Sequence, residues 1–409
     1  MTTSPGTPEA SPDRSPGDEL SVGMVGHAFM GAAHSQAWRN APRFFDLPLH
    51  PRMKAVAGRD ATRVAEAADR LGWESTETSW QALVERDDID LVDVCTPGHT
   101  HAEIAIAALE AGKHVLCEKP LANTVEEAEA MTRAAEKAAI GGVRSMVGFT
   151  YRRVPAIGLA RRLVAEGRLG TIHHVRAQYL QDWIVDPEAP LSWRLDKAQA
   201  GSGALGDIGA HIVDLTQHIT ADVIGRVSGR LHTFVDERPM AAEHAGLSGT
   251  AGSGRGPVTV DDAAVFLAEF RGGALGVFEA TRFAHGRKNA IRIEVNGTDG
   301  SLAFDFEDMN VLHFFDATQP APEAGFRRIV VTEPEHAYVA AWWPPGHGLG
   351  YEHAFTHQAV DLISAIASRT QPEPSFADGL AVQRVLDAVE RSAANRSMWT
   401  AVPTPTKES

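Results

Sequence analysis

Two patterns of hydrophobic positions divide the chain into two parts. From Leu20 onwards, short apolar runs alternate with segments in which apolar residues recur at helical spacing. The runs predict buried strands and the segments predict amphipathic helices. Strands that alternate with helices form parallel βαβ units, so we expect an α/β fold with a Rossmann-type doubly wound parallel sheet over residues 20–150. The predicted strands are LSVGMVG, RMKAVAGRD, IDLVDVCTP, KHVLCEKP and RSMVGFTY.

The pattern changes after about Tyr151. A predicted helix and strand lead into apolar runs with a period of two, among them VSGRLHTFV, VFLAEF, ALGVFEAT, IRIEVNG and SLAFDF. Successive strands joined by short turns indicate an open, mostly antiparallel sheet. Helical segments near 352–368 and 378–394 follow. We therefore expect residues 151–400 to form an α+β domain that holds the substrate and the oligomer contacts.

Three segments are expected to lack a fixed structure. Residues 1–19 are rich in proline, serine, glycine and acidic residues, which predicts a disordered leader. Residues 401–409 are predicted to be a flexible tail. The segment 241–257 is rich in glycine, serine and alanine, and we expect a flexible insertion there.

Composition narrows the class of function. The 409 residues carry a formal charge of −15, which argues against nucleic-acid partners and anionic membranes. No apolar run approaches the ~20 residues of a membrane-spanning helix, and no secretory signal opens the chain. Cys95 and Cys117 lie in strand-like apolar runs, as expected of core thiols in a reducing compartment. A cytoplasmic protein with a small-molecule partner is the expectation.

The turn VGHAFMG follows the first predicted strand. As a dinucleotide fingerprint it places Gly26, Ala28 and Gly31 at the three glycine positions, with Phe29 and Met30 before the last. Such a turn brings the backbone close to a pyrophosphate and aims a helix N-terminus at it. Ala28 adds a methyl group that the strict pattern lacks, and an ordinary strand–helix turn has a similar appearance.

The end of the second predicted strand bears on the choice of dinucleotide. An acidic residue there would bond the ribose hydroxyls of NAD. Here Gly58 and Arg59 precede Asp60. A small residue and a cation leave room for the 2′-phosphate of NADP, whereas an arginine that only stacks on adenine suits either cofactor. The sequence leaves NAD and NADP both open.

The stretch GSGALGDIGAHIVDLTQHI carries two parallel stripes at helical spacing. The apolar stripe of a buried helix is Ile208, Ile212, Leu215 and Ile219, and the polar stripe is Asp207, His211, Asp214 and His218. Residues four apart share one face of a helix, and an anion in the first turn is favoured by the helix dipole. Asp207 and His211 are therefore candidates for joint chemistry, although a structural Asp–His pair has the same spacing.

Two further motifs carry a specific resemblance. TPGHTH and CEKP each follow a predicted strand, and with YRRVP and SFADG they resemble motifs of the Gfo/Idh/MocA oxidoreductase family, over the chain from Leu20 to Trp399. Gly98 and Thr150 depart from that family, which usually has asparagine at both positions. The resemblance implies cofactor contacts from Thr96, Pro97, His101, Glu118 and Lys119.

The resemblance also implies catalytic roles. Lys119 would remove the proton of a substrate hydroxyl as hydride leaves the carbon, and Asp207 and His211 would complete the catalytic set. A free hydroxyl is too weak an acid to ionise unaided. Burial beside the cationic nicotinamide ring is expected to lower the pKa of a lysine, which lets the amine act as a base.

The segments YLQDW and PLSWR resemble those of family members that oxidise the 3-hydroxyl of a sugar or an anhydro sugar. Trp183 and Trp193 would offer flat apolar faces to a sugar ring, although core packing explains an indole equally well. The remaining predicted substrate contacts are Tyr151, Arg152, Gln181 and Arg194, together with Lys119, Asp207 and His211.

One other pair has the spacing of metal ligands. His353 and His357 stand four apart, but no third ligand is evident at helpful spacing, so no metal site is expected.

The sequence thus predicts an NAD(P)-dependent dehydrogenase of a neutral sugar or polyol, working as a homo-oligomer, either a dimer or a tetramer. The alternatives are an inositol dehydrogenase, a nicotinamide-dependent glycosidase and a non-catalytic NAD(P)-binding sugar sensor. The retained Lys119, Asp207 and His211 argue against the sensor, which needs no base.

Overall fold

A computed structural model describes residues 19–245 and 248–403 of the chain. The predicted leader therefore lies outside the described residues except for Glu19, and so does most of the predicted tail. Glu19 opens the first strand.

The first sheet has six parallel strands in the order β3-β2-β1-β4-β5-β6. They are β1 (Glu19–Val25), β2 (His50–Ala57), β3 (Ser75–Glu77), β4 (Leu91–Val94), β5 (His114–Cys117) and β6 (Ser145–Val147). The helices between them are α1 (Phe29–Phe44), α2 (Ala61–Leu71), α3 (Trp80–Val84), α4 (His101–Glu110) and α5 (Val125–Ile140). This is the predicted doubly wound sheet, with β3 and α3 as elements that the apolar pattern did not reveal. All of β4 is buried, as expected for a central parallel strand.

Local signals set the helix ends. Asp60 caps α2 by accepting from the backbone N–H of Arg63, and α2 ends at Gly72, whose φ is +83°. Thr124 and Glu127 form a reciprocal capping box at the start of α5. These residue types satisfy the unpaired amides and carbonyls that every helix end leaves.

The second sheet has nine strands in the order β16-β15-β14-β13-β7-β12-β11-β8-β17. These strands are β7 (Ile172–Leu180), β8 (Ile224–His232), β11 (Ala263–Phe270), β12 (Leu275–Thr281), β13 (Ala290–Gly297), β14 (Gly300–Asp305), β15 (Val311–Asp316), β16 (Arg327–Val330) and β17 (Thr400–Ala401). Only β7 and β12 pair in parallel, so the sheet is mostly antiparallel, as predicted. The accompanying helices are α6 (Pro155–Ala165), α7 (Lys197–Ala200), α8 (Ala210–Thr220), α9 (Tyr351–Ser368) and α10 (Phe376–Ala394).

Two segments that were expected to be irregular include residues of strands. The segment 241–257 falls in a hairpin of β9 (Glu237–Ala245) and β10 (Ser248–Pro257), whose register slips near Ala251. Its glycine-rich composition hides the strand signal, but backbone pairing does not require a side-chain pattern. The predicted tail also begins inside β17, where Ala401 pairs with Arg226.

The last two long helices return to the first domain. Phe355 and Leu362 of α9 belong to the same buried cluster as Val22 and Trp38. Helix α10 lies between α5 and β8. The two sheets are thereby held with the carboxyl ends of β1, β4 and β5 facing the second domain. None of the helices in the described ranges combines the length and apolar character needed to cross a bilayer.

Candidate active site

The turn after β1 is closed by backbone contacts that exclude side chains. Gly26 has φ +96°, and a Cβ there would lie 2.8 Å from the carbonyl oxygen of Cys95. A Cβ on Gly31 would lie 2.3 Å from the carbonyl oxygen of Gly26. Ala28, the N-cap of α1, makes no side-chain capping bond, so it leaves the first amides of α1 uncapped by its side chain. A tight glycine turn before a helix N-terminus fits the pyrophosphate of a dinucleotide.

The neighbouring residues of this turn face the second domain and the core. Phe29 is exposed and stacks on Tyr351 of α9, with ring centroids 6.4 Å apart. Met30 is half-buried and packs against the core of the first domain.

The end of β2 lacks a carboxylate at the position that would meet the ribose. A Cβ on Gly58 would lie 2.5 Å from Nε2 of His27, so the imidazole occupies the space of a side chain. Arg59 is exposed, and the carboxylate of Asp60 is used to cap α2. Arg63 lies 3.8 Å from Asp60, so among the described residues of this turn Arg59 is the cation without an ion pair.

The motifs after β4 and β5 lie side by side and are joined through a histidine. The ring of His101 contacts the carbonyl oxygen of Thr96 at 2.8 Å and that of Pro120 at 3.0 Å. His101 is buried, and both of its ring nitrogens contact backbone oxygens, while its contact with the cofactor stays a prediction. Pro97 starts the short turn before α4. Thr96 and Pro97 thus lie at the edge of the cleft, next to the residues Lys119 and Pro120 that follow β5.

The departure from the family pattern at residue 98 has a steric cause. A Cβ on Gly98 would lie 2.5 Å from Oδ1 of Asn123, whose amide nitrogen donates to the carbonyl oxygen of Gln199. The carboxamide of Asn123 thus fills the space that a side chain at residue 98 would need. Thr150, the other departure, is buried and donates to Gln358.

Lys119 and Asp207 meet across the two domains. Nζ of Lys119 donates to the backbone oxygen of Asp207 at 2.5 Å and lies 3.5 Å from its Oδ1. Their side chains are 15% and 28% exposed, so both still face the cleft. Burial alone would raise the pKa of Asp207, but Lys119, Arg194 and Arg282 together lower it below the ordinary value. Asp207 is therefore an anion at neutral pH.

Asp207 does not begin a regular helix, contrary to the prediction. Residues Leu205–Gly209 form a π-helical turn, and α8 starts only at Ala210. The backbone here is held by Asp261, whose carboxylate accepts from the amides of Gly203 and Leu205. A Cβ on Gly203 would lie 1.7 Å from the carbonyl oxygen of Asp261, so this glycine is needed for packing. Single π-turns of this kind are frequent at functional sites.

Three aromatic side chains surround the ring of His211. Its ring centroid lies 4.7 Å from that of Tyr151, 5.8 Å from that of Tyr179 and 6.1 Å from that of Phe149. Burial, and then the charge of Lys119, lower the pKa of His211 well below its ordinary value. The imidazole is therefore neutral, and its unprotonated ring nitrogen can accept a hydrogen bond.

The lower half of the polar stripe is structural. Asp214 is buried and accepts from Arg152 at 2.5 Å (Nη2 to Oδ1) and 2.9 Å (Nε to Oδ2). Arg152 also lies 3.4 Å from Asp378. Arg152 was predicted to contact the substrate. Its Nε and Nη2 are bonded to these carboxylates, so a substrate contact from Nη1 stays a prediction. His218, behind it, has a pKa lowered to about 2 by burial and by Arg152.

A hydrogen-bonded chain lines the substrate side of the cleft. The hydroxyl groups of Tyr151 and Tyr179 are 3.0 Å apart, and Tyr179 donates to Oδ1 of Asn289 at 2.6 Å. The amide of Gln181 donates to the same oxygen at 2.9 Å, and the indole N–H of Trp183 donates to Gln181 at 3.1 Å. Three of these five residues, Tyr151, Gln181 and Trp183, are predicted contacts, and Tyr179 and Asn289 join them.

Two arginines stand against the two indoles. Arg194 lies 4.4 Å over the ring of Trp193, and Arg282 lies 5.6 Å from that of Trp183. Arg282 is fully buried, and its Nη1 lies 3.7 Å from Oδ2 of Asp207 without a hydrogen bond. Predicted contacts Trp183, Trp193 and Arg194 are thus brought together around Asp207.

Sequence reasoning missed Asn289 and Arg282 as site residues. Asn289 stands in the polar run GRKNA before β13, where nothing local distinguishes it. Arg282 follows directly after β12 in the run EATRFAH. A cation at the end of an otherwise apolar buried strand is an unusual residue, and that was the available signal.

The two histidines with metal-like spacing serve the fold. The amide of Gly350 donates to Nδ1 of His353, and the indole of Trp342 donates to Nε2 of His357 at 2.7 Å. Nδ1 of His357 faces the backbone oxygen of Arg153 at 3.0 Å.

These features together define a class. A glycine turn built for a dinucleotide faces, across a cleft, a lysine paired with an aspartate and a neutral histidine. That is the arrangement of a two-domain dinucleotide-dependent oxidoreductase.

The chain belongs to the Gfo/Idh/MocA oxidoreductase family. Residues 20–149 match the family profile described as an oxidoreductase family with an NAD-binding Rossmann fold. Residues 157–303 match the GFO/IDH/MocA C-terminal domain.

Named relatives cover almost the whole chain. It is 44% identical over 389 residues to levoglucosan dehydrogenase of Pseudarthrobacter phenanthrenivorans, which covers 94% of this chain and 98% of that protein. A crystal structure of an oxidoreductase domain protein from Kribbella flavida is 73% identical with a TM-score of 0.90, over 94% of this chain and 100% of that one. A levoglucosan dehydrogenase structure in complex with NADH and levoglucosan is 43% identical with a TM-score of 0.88, over 94% of this chain and 100% of that one.

Proposed function

We propose that this protein oxidises a secondary hydroxyl, the 3-hydroxyl, of a neutral sugar or anhydro sugar with NAD⁺, with levoglucosan and glucosides as the first candidates. The observation that carries the proposal is the contact between Nζ of Lys119 and Asp207 beside the neutral ring of His211. Residues 20–150 would bind the dinucleotide, and residues 151–400 would bind the sugar.

Lys119, Asp207 and His211 would each have a different role in removing the proton of the substrate hydroxyl. Lys119, as the neutral amine, would take the hydroxyl proton and become an ammonium ion, which the contacts with Asp207 hold in place. His211 would bond the same hydroxyl or pass the proton outward, because its ring is neutral and lies beside Lys119. Bound nicotinamide would supply the hydride acceptor. The rings of Phe149, Tyr151 and Tyr179 around His211 would keep bulk water from the reacting carbon.

The substrate side of the cleft suits an uncharged ring. Gln181 and Asn289 offer hydrogen-bonding amides, and Trp183 and Trp193 offer flat faces for the C–H surface of a sugar. Arg194 and Arg282 are directed at Asp207 and at the two indoles, so their charges are already partly balanced. This differs from an open cluster of cations built for a phosphate.

A substrate panel tests the proposal. Purified protein is incubated with levoglucosan, methyl glucosides, inositols and sugar phosphates, each with NAD⁺ and with NADP⁺, and the formation of reduced nicotinamide is followed by absorbance. We expect the fastest turnover with levoglucosan or a glucoside, and a 3-keto product by NMR. Activity on sugar phosphates alone, or oxidation mapped to carbon 1, would contradict the proposal. Preference for inositols would establish the alternative inositol dehydrogenase.

We also infer that the protein is a homo-oligomer in the cytoplasm. Helices α6, α8 and α10 cover one face of the large sheet. The other face carries exposed apolar side chains on adjacent strands: Val265, Leu267, Leu275 and Val277. An apolar patch of neighbouring side chains favours contact with a second copy.

The inferred compartment rests on the cysteines. Cys95 and Cys117 are both free and buried, which suits a reducing compartment.

A further inference from the structure

A buried ionic cluster lies behind the cleft and is not used by the chemistry above. His34 of α1 is 2% exposed and stands between two carboxylates. Its Nδ1 lies 2.9 Å from Oδ1 of Asp93, at the centre of β4, and its Nε2 lies 2.9 Å from Oε1 of Glu118, directly after β5. The indole N–H of Trp38 donates to Oδ2 of Asp93 at 2.7 Å. The cluster thus joins α1, β4 and β5.

Both ring nitrogens of His34 face carboxylate oxygens, so both carry a hydrogen and the ring is a cation. Burial alone would lower the pKa of His34, but Asp93 raises it well above the ordinary value. The other titratable groups beside the ring are Cys95 and Glu118. A buried carboxylate needs a partner, and the imidazolium of His34 is the partner of both Asp93 and Glu118 at this place.

Glu118 is tied to Lys119 through the backbone. Its Oε2 accepts from the amide N–H of Lys119 at 3.1 Å, while Oε1 faces His34. On the other side, a Cβ on Gly148 would lie 2.9 Å from Oε1, so the carboxylate has little room to move. The orientation of the peptide from which the Lys119 side chain departs therefore depends on both oxygens of Glu118.

We propose that His34 is a positioning residue, which holds Glu118 and through it the amine of Lys119 against Asp207. The cluster also connects that amine to α1, whose N-terminus forms the dinucleotide turn. The argument rests on the proposed role of Lys119 as the base. A displacement of about 1 Å at a reacting group can cost about a hundredfold in rate, so loss of this support is expected to be visible in kcat.

Two substitutions of His34 separate its two contacts. The amide nitrogen of asparagine reaches the position of Nδ1 and that of glutamine reaches Nε2. His34→Asn therefore keeps a donor for Asp93 and loses Glu118, and His34→Gln does the reverse. We expect His34→Asn to lower kcat by at least about tenfold, with the Kd for NADH within about threefold of the wild type. His34→Gln is expected to retain kcat within about threefold.

Trp38→Phe is the matched control. It removes a donor to Asp93 and keeps the contact between His34 and Glu118, so it is expected to lower the melting temperature and leave kcat unchanged. Equal losses of kcat in the two His34 variants, in step with their melting temperatures, would overturn the proposal. So would a wild-type kcat in His34→Asn.

Glu118 provides a second test if His34→Asn fails to fold. We expect Glu118→Ala to lower kcat far more than Glu118→Gln, whose amide oxygen can still accept from Lys119. Equal kcat values for these two would also overturn the proposal. Turnover of Lys119→Met reports separately on the base itself: if that variant is inactive while the His34 and Glu118 variants are fully active, only the positioning role fails.

Discussion

At the scale of single residues, the proposed chemistry depends on one amine in one place. Lys119 is the only group within the described cleft that combines a contact to Asp207 with a side chain still open to the substrate. Its backbone amide and its side chain are each held by a carboxyl-bearing residue, Glu118 and Asp207. This double support is what a positioned base requires.

Replacing Lys119 by Met is expected to remove turnover and to leave dinucleotide binding nearly intact, because the amine acts on the hydroxyl. A general base contributes about 10²–10⁴ in rate, and the loss should fall in that range. Steady-state rates with the best sugar of the panel and NADH binding by fluorescence measure the two effects. Lys113→Met, at a lysine that bonds the backbone of Arg86, is the control. Near-normal turnover of Lys119→Met would remove Lys119 from its role.

Asn289 is expected to act on substrate affinity. Asn289→Ala removes the oxygen that accepts from both Tyr179 and Gln181, so these side chains lose their fixed positions. Two hydrogen bonds of about 1 kcal/mol each correspond to a KM for the sugar raised up to about thirtyfold, with kcat little changed. Asn296→Ala, on the outer side of β13, should leave KM unchanged. The same KM in both variants would place Asn289 outside the site.

Arg59 is expected to distinguish the two dinucleotides. If NADP is tolerated, Arg59→Ala should weaken NADP binding about tenfold and NAD binding little, because only NADP offers a phosphate to pair. Arg63→Ala is the matched control, since Arg63 is exposed nearby but lies 3.8 Å from Asp60. Titration calorimetry with both oxidised cofactors gives the comparison. Equal losses for NAD and NADP would mean that Arg59 only packs on adenine.

At the scale of elements, the π-turn before α8 separates two roles along one polar stripe. Asp207 and His211 face the cleft from the turn and the first residues of α8. Asp214, one turn further, is enclosed with Arg152. A single run of acid and imidazole thus carries the proposed catalytic residues at one end and buried structural residues at the other.

His211→Asn is expected to lower kcat by about 10² or more, because it removes a neutral imidazole from the proton path. Asp214→Asn should instead lower the free energy of unfolding by about 3–5 kcal/mol, since it leaves Arg152 without its buried partner. Turnover and thermal melting of both variants, measured at a temperature where each is folded, give the contrast. Equal losses of kcat would make the whole stripe structural.

The strands and helices were largely predictable, because apolar periodicity is a local property. The pattern located β1, β2, β4, β5 and β6 and the helices α1, α2, α4 and α5, but not the short α3. It missed β3, which has only three residues, and the hairpin of β9 and β10, whose composition is glycine-rich. The π-turn was also invisible, because it depends on Asp261, which is far away in sequence.

At the scale of the whole molecule, the large sheet has one covered and one open face. Leu267 and Val277 lie opposite each other on β11 and β12, and both are about half exposed on the open face. Charged side chains such as Arg176 and Glu294 surround them. A second copy that placed the same face against this one would bury the apolar patch.

We therefore expect Leu267→Lys to convert the proposed homo-oligomer into smaller species, because a charge in the centre of an apolar contact is left without a partner. Light scattering coupled to size exclusion gives the mass of each species. Ile140→Lys, at an exposed apolar residue at the end of α5, is the control and should not change the mass. An unchanged mass for Leu267→Lys, or a monomeric wild type, would contradict the proposed interface.

The sequence by itself determined the two kinds of domain, the family and the residue types of the candidate site. These follow from local periodicity and from short motifs such as the glycine turn and the CEKP run. The tertiary structure alone decided which groups meet. Lys119 and Asp207 are 88 positions apart, His34 and Glu118 are 84 apart, and Gln181 and Asn289 are 108 apart. Such contacts depend on how the elements pack, and no local pattern encodes them. For the same reason, Arg152 was expected at the substrate and is found paired with Asp214 in the interior.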